Sequence, residues 1–178
     1  FEFKAAETLE QIEEMFPGKG NLNNIGLHYS NAGKKEKAIN YYERAMKETP
    51  SATTAFNIAI QFKNNDKEKY KEYLEKAQEL NPNHNPSAYS LGQELIKSGE
   101  KDKGEKLLKE AFERWQNKFE TNSLETWDYS WFSSCAKALG KNDYAKHILE
   151  SAPKEDFDKL YNAGNLTQFR TETAIQKK

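Results

Sequence analysis

Three small residues, Gly26, Ala59 and Gly92, stand 33 positions apart, and each sits inside an apolar helical stripe. Two helices approach closely only where a side chain is missing, and a period of this length marks a supersecondary unit stacked on its own copies. The fullest copy is Asn21–Pro50, NLNNIGLHYSNAGKKEKAINYYERAMKETP. Leu22, Ile25 and Tyr29 share one stripe around Gly26, and a turn follows at Ala32-Gly33. Ala38, Tyr42 and Ala45 form a second stripe that Pro50 ends, because its ring blocks the preceding turn and it lacks an N–H. Apolar residues at spacings of three and four on both sides of a turn predict two antiparallel helices.

The frame continues downstream. Residues 52–84 set Phe56, Ile58, Ala59 and Phe62 on a first helix and Tyr70, Leu74 and Ala77 on a second. This copy has lost one residue at the turn Asn64-Asn65-Asp66, and Tyr70 stands where the first copy has Ala38. Its helices are therefore expected to pack less closely. Residues 85–121 follow an Asn- and Pro-rich linker and supply Leu91-Gly92, Leu95, the turn Ser98-Gly99, then Gly104, Leu108 and Ala111. No proline stops this copy at Gln116, and its stripe runs on through Phe112, Trp115 and Phe119. The second helix should be about a turn or two longer than its counterparts. Residues 122–153 form a degenerate copy: Tyr129, Phe132 and Ser133, a turn at Gly140, then Ala145, Leu149 and Ala152, closed by Pro153.

This spacing resembles the tetratricopeptide-repeat family, whose pattern is W-x2-L-G-x2-Y, then A-x3-F, then Pro over about 34 residues. Here it reads Leu22-x2-Ile25-Gly26-x2-Tyr29, then Ala38-x3-Tyr42, then Pro50, with Leu22 in place of the tryptophan. The resemblance implies an all-α, right-handed helical-repeat solenoid of antiparallel helix pairs. About four repeats lie in one domain over 1–178, namely 19–51, 52–84, 85–121 and 122–153. Residues 1–18, with Ala5, Leu9, Ile12 and Phe16 on a stripe ended by Pro17-Gly18, form a partial repeat or a capping helix. Residues 154–178 are expected to form capping helices, since an array's last apolar face must be covered.

The function the resemblance implies is a non-catalytic protein–protein interaction scaffold that binds a peptide or protein segment in its concave groove. Register against the Leu-Gly pair assigns to that groove Asn23, Asn24 and Leu27, then Phe56, Asn57, Ile60 and Lys63. Tyr89, Ser90, Gln93 and Lys97 follow, then Trp127 and Trp131. The set is rich in amides and aromatics, which hydrogen-bond an extended backbone and anchor interfaces. Replacing Asn57 and Tyr89 by alanine is expected to abolish binding and leave the melting temperature nearly unchanged. Chaperone-binding members hold a terminal carboxylate with Lys and Asn residues. At the matching positions Asn23, Leu27, Asn57, Pro86 and Ser90 only Asn57 agrees, so that subtype is not expected. The alternative is self-association, as a homo-oligomer, or docking within a larger parent protein, enzymatic or not, through Phe1, Phe3, Leu9 and Phe16. An opening without Met is read as an excised domain or a processed product.

Composition narrows the function classes. Hydrophobic residues make up 36% and charged ones 31%, lean for a compact core but suited to a thin repeat array. A net charge of -1 and only three arginines, Arg44, Arg114 and Arg170, argue against nucleic acid as partner. No apolar run reaches the length of a membrane span. A lone Cys135 excludes an internal disulfide framework, and the cytoplasm is the default compartment. No phosphate loop, dinucleotide fingerprint or zinc-protease motif is present, and His28, His84 and His147 are scattered, so neither enzyme activity, cofactor nor metal is expected. Cys135, near Trp131 and Phe132, reads as a small core residue, and Glu13-Glu14 reads as solvated helix surface.

Overall fold

The computed structural model describes residues 1–18 and 20–153. Among these it contains nine α-helices and no strand: α1 (Glu2–Met15), α2 (Leu22–Asn31), α3 (Lys35–Glu48), α4 (Ala52–Phe62), α5 (Lys67–Leu80), α6 (Asn85–Lys97), α7 (Lys101–Glu120), α8 (Asp128–Ala138) and α9 (Asn142–Glu150). The capping helices expected over 154–178 lie outside the described residues. The chain divides into two compact units, Phe1–Leu91 and one beginning at Gly92, within α6.

Local chemistry starts and stops these helices. The side chain of Asn21 accepts from Asn24 N–H at the start of α2, Ser51 from Thr54 at α4, and Asp66 from Lys69 at α5. Gly33, Gly99 and Gly140 take φ of 73°, 93° and 76° in the turns after α2, α6 and α8. That left-handed conformation suits glycine. The missing residue of the second repeat is this glycine. In the other three repeats the second helix begins nine positions after the small residue Gly26, Gly92 or Ser133, but α5 begins eight after Ala59.

In the first unit consecutive helices α1 to α5 pack in order, and α2 also touches α4. The core of α1–α4 gathers Ile25, Tyr29, Ala38, Tyr42 and Ile58. The looser packing expected of the second repeat is not found: α4 and α5 pack at least as extensively as α2 and α3. Tyr70 is itself buried, and the paired helices bury the small residues Ala55, Ala59 and Ala77 completely. In the second unit α8 packs on α7 and α9. Helix α7 has 20 residues against 14 in α3 and α5; its added length carries Trp115 and Phe119, which continue the stripe of Phe112. These rings meet Phe132 at centroid distances of 5.2, 6.3 and 5.9 Å. Trp115 is fully buried and donates its Nε1–H to Asp128 at 2.9 Å.

Two expectations for α1 need correction. Its buried positions are Ala6 and Glu13, with Leu9 packed against the core, while Phe16 is exposed beyond the helix end. Glu13 is not solvated surface. Both its oxygens accept from Gly18 N–H at 3.0 Å, and Oε2 also accepts from Gly20 N–H at 2.9 Å. These backbone donors hold its carboxyl below the usual carboxylate range. Glu10 fastens α1 to the first repeat by accepting from the Tyr29 hydroxyl and, at 2.6 Å, from that of Tyr41. Burial works against the Glu10 charge, but these bonds and Lys37 outweigh it and lower its pKa.

Candidate functional site

The first-helix face of the first unit is formed by α2 and α4. Polar side chains tie these helices to each other. Asn23 Oδ1 accepts from Thr54 Oγ1 at 3.1 Å and from Asn57 Nδ2 at 3.4 Å, and one turn further Gln61 Nε2 donates to Ser30 Oγ at 2.8 Å. Two residues assigned to the ligand by register, Asn23 and Asn57, thus spend hydrogen bonds on the scaffold. Asn24 and Leu27 are exposed, Leu27 by 38%, and Ile60 and Lys63 are half-buried.

Other assigned residues lie deeper. Phe56 is buried and packs on the His84 ring at 5.5 Å, and Tyr89 and Ser90 are buried in α6. Replacing Tyr89 would therefore cost stability, contrary to the expectation that its removal leaves melting unchanged. In the second unit Gln93 is half-buried and Lys97 is exposed and pairs with Glu94 at 2.7 Å. Trp127, just before α8, is 55% exposed, with Trp131 half-buried one turn on.

The histidines and the cysteine have structural surroundings. His28 Nδ1 lies 2.5 Å from Glu2. His84 Nδ1 lies 2.9 Å from Ser87 Oγ and accepts from Ser87 N–H at 3.4 Å, capping α6. Gln78 Nε2 donates to Ser87 Oγ at 2.7 Å and to the His84 carbonyl at 3.0 Å, closing the network. Burial pushes the His84 pKa down to about 4. Cys135 is fully buried and its Sγ–H donates to the Leu108 carbonyl at 3.3 Å; burial pushes the thiol up to about 12, far from a nucleophile's range. Among the described residues no cluster of three or more His, Cys, Asp or Glu could hold a metal. None of the described helices is long and apolar enough to cross a membrane.

Sequence register overlooked a cleft of about 720 Å³ between the second helices α3 and α5, whose floor includes Ile58 of α4. Its one legible signal is Met46 and Tyr73, large residues outside the repeat pattern.

The periodic small residues, the paired helices and the closely packed Gly26 position find their counterpart among known proteins. A family model described as the tetratricopeptide repeat matches residues 21–52, and a second model of that description matches 59–84. The chain carries tetratricopeptide repeats. Solved structures extend the likeness to the whole fold. A thermophilic tetratricopeptide-repeat protein of Thermus thermophilus, TTC0263, superposes with a TM-score of 0.59 at 21% identity, covering 93% of this chain and 91% of its own. Two crystal structures of MamA superpose with TM-scores of 0.55 and 0.53 at 18% identity, covering 93% and 88% of this chain and 86% and 89% of theirs. No curated protein matches the chain. At these identities the solved structures establish an all-α helical-repeat fold. The repeats themselves mark the chain as a protein-interaction scaffold of a typically non-catalytic kind.

Proposed function

We propose that the chain binds an extended segment of a partner protein along the first-helix faces of its repeats. The observation that carries this reading is the surface of α2 beside α4. Two polar ties hold the helices side by side and leave Leu27 38% exposed with the amide of Asn24 next to it. A rigid pair of helices that presents one apolar side chain beside an unburied amide suits a peptide that adds an apolar contact and backbone hydrogen bonds. Asn57, Ile60 and Lys63 extend the face in this unit, and Gln93, Lys97, Trp127 and Trp131 are the corresponding positions in the second. Partners captured from a lysate by the full chain would be identified by mass spectrometry and their segments titrated calorimetrically. Leu27→Glu is expected to weaken binding about tenfold or more, the cost of losing one well-seated anchor, with melting unchanged. Unchanged affinity would count against this face.

A second reading, self-association through α1, is favoured by the exposure of Met15 (64%) and Phe16 (61%) at its end. Light scattering that shows a concentration-independent monomer would remove it.

A further inference from the structure

The cleft between α3 and α5 belongs to neither reading, because α2 contributes none of its lining and it lies among the second helices. Its apolar part is Met46, Ile58 and Tyr73. Ile58 is wholly buried and held in the core, and Tyr73 is braced by stacking on Phe62, with ring planes 11° apart and centroids 6.1 Å apart. These walls are therefore pre-formed, which lowers the ordering cost of binding. A volume of about 720 Å³ lies in the range of pockets that engulf a small ligand or a few side chains.

The rim has a sign. Four glutamates, Glu43, Glu72, Glu75 and Glu79, line the cleft against two lysines, Lys47 and Lys76. Glu79 pairs with Lys76 at 3.2 Å and Glu75 with Lys71 at 3.8 Å, so part of this charge is answered within α5. Burial first, and then the charges of Glu43 and Glu72, raise the pKa of the Tyr73 hydroxyl, so carboxylates from both helices bear on one wall. The excess of negative charge is local, since the whole chain carries only -1. An apolar floor under an acidic rim complements a segment in which an apolar side chain is flanked by lysine or arginine.

We propose that the α3–α5 cleft is a second binding site, which seats an apolar side chain of a basic peptide segment against Met46 and Tyr73, over the core that Ile58 closes beneath them, while Glu43 and Glu72 face its cations. A scaffold with this site and the first-helix face engages two segments at once, on different helices.

The test uses the full chain and three fluorescein-labelled synthetic peptides: alternating lysine and leucine, glutamate and leucine, and lysine and serine. Fluorescence anisotropy at low salt is expected to show binding of the lysine–leucine peptide alone, weakening as salt is raised. Glu43→Gln with Glu72→Gln, both at exposed positions, is expected to weaken that binding about tenfold. Leu27→Glu, on the first-helix face, is expected to leave it unchanged. Failure of the lysine–leucine peptide to bind, equal binding of the serine or glutamate peptide, or indifference to the paired glutamine substitution would overturn the proposal. Loss of binding only with Leu27→Glu would assign the peptide to the first-helix face instead. Should the paired variant fold poorly, Glu72→Gln alone, at an exposed position, locates the site by a smaller loss of binding.

Discussion

The two units close the same repeat frame by different means. In the first, a Cβ placed on Gly26 would lie 2.7 Å from the ring of Tyr42, a side chain only 1% exposed. In the second, a Cβ on Gly104 would collide with the carbonyl oxygen of Gly92, and one on Gly92 would lie 2.9 Å from the carbonyl of Gly104. The positions are equivalent, since Gly26 and Ala38, like Gly92 and Gly104, are twelve apart. In the first unit a ring fills the gap left by one glycine. In the second two glycines bring backbone to backbone, and the smaller Leu108 stands where Tyr42 does. Ser133 and Ala145, again twelve apart, show a third solution, with Ser133 Oγ donating to the Ala145 carbonyl at 2.9 Å. The repeat specifies that a small residue must occupy the crossing; what it meets there is set by each pair.

Four measurements test this contrast. Gly104→Val should be the most damaging, because the obstacle is backbone that cannot rotate away. We expect a loss of about 3 kcal/mol or more in chemical denaturation, at the upper end for overpacked cores. A loss below about 1 kcal/mol would mean that the helices separate easily. Gly26→Ala should cost about 2–3 kcal/mol, and adding Tyr42→Leu should recover part of it by reproducing the Gly92–Leu108 arrangement. No trimming of a side chain should rescue Gly104. Purely additive losses in the Gly26–Tyr42 double mutant would show that the ring is not the obstacle.

Acid provides the third test, since titratable side chains fasten the first unit. His84 is held neutral, with its folded pKa near 4 against an unfolded value of 6.5. The unfolded chain therefore takes up the proton first, and the stability that His84 contributes, present above pH 6.5, is lost as pH falls toward 4. The loss should be about 3 kcal/mol. Glu13 and Glu10, whose folded pKa values are also lowered, add to it below about 4.5. The tryptophans, Trp115, Trp127 and Trp131, all lie in the second unit. On acidification circular dichroism should lose helix while tryptophan emission still reports a folded environment, and His84→Asn, which keeps a capping acceptor, should flatten the step between pH 6.5 and 4. Coincident transitions would refute the difference between the units. Smallest is Asn23→Ala, which removes the tie to Thr54 and Asn57 and should lower stability by about 1 kcal/mol.

Much of the fold was legible in the residues because helix pairs are local. The stripes of Asn21–Pro50 located α2 and α3, and the missing proline at Gln116 foretold the long α7. The shortened turn after α4 was equally readable, but its consequence was not: Tyr70 is buried in a helix pair that packs no more loosely than the first, which no spacing on α5 reveals. The candidate face was less legible. Asn23 and Asn57 were assigned to a ligand, yet they bond across α2 and α4, because the nearest amide partner belongs to the neighbouring repeat. Phe56 packs on His84, a residue of the Asn- and Pro-rich linker, which register along α4 alone does not show.

Helix positions, their pairing and the repeat family are written in the residues themselves, since hydrophobic period, capping residues and glycine turns act within some thirty residues. Which polar side chains are scaffold and which are surface is settled only when the segments pack. Helical period fixes the direction of a side chain about its own axis, whereas burial depends on what a different segment places there. Gly18 and Gly20 bring Glu13 in from solvent, and the packing of α4 between α3 and α5 opens an acidic cleft that no single stretch of sequence contains.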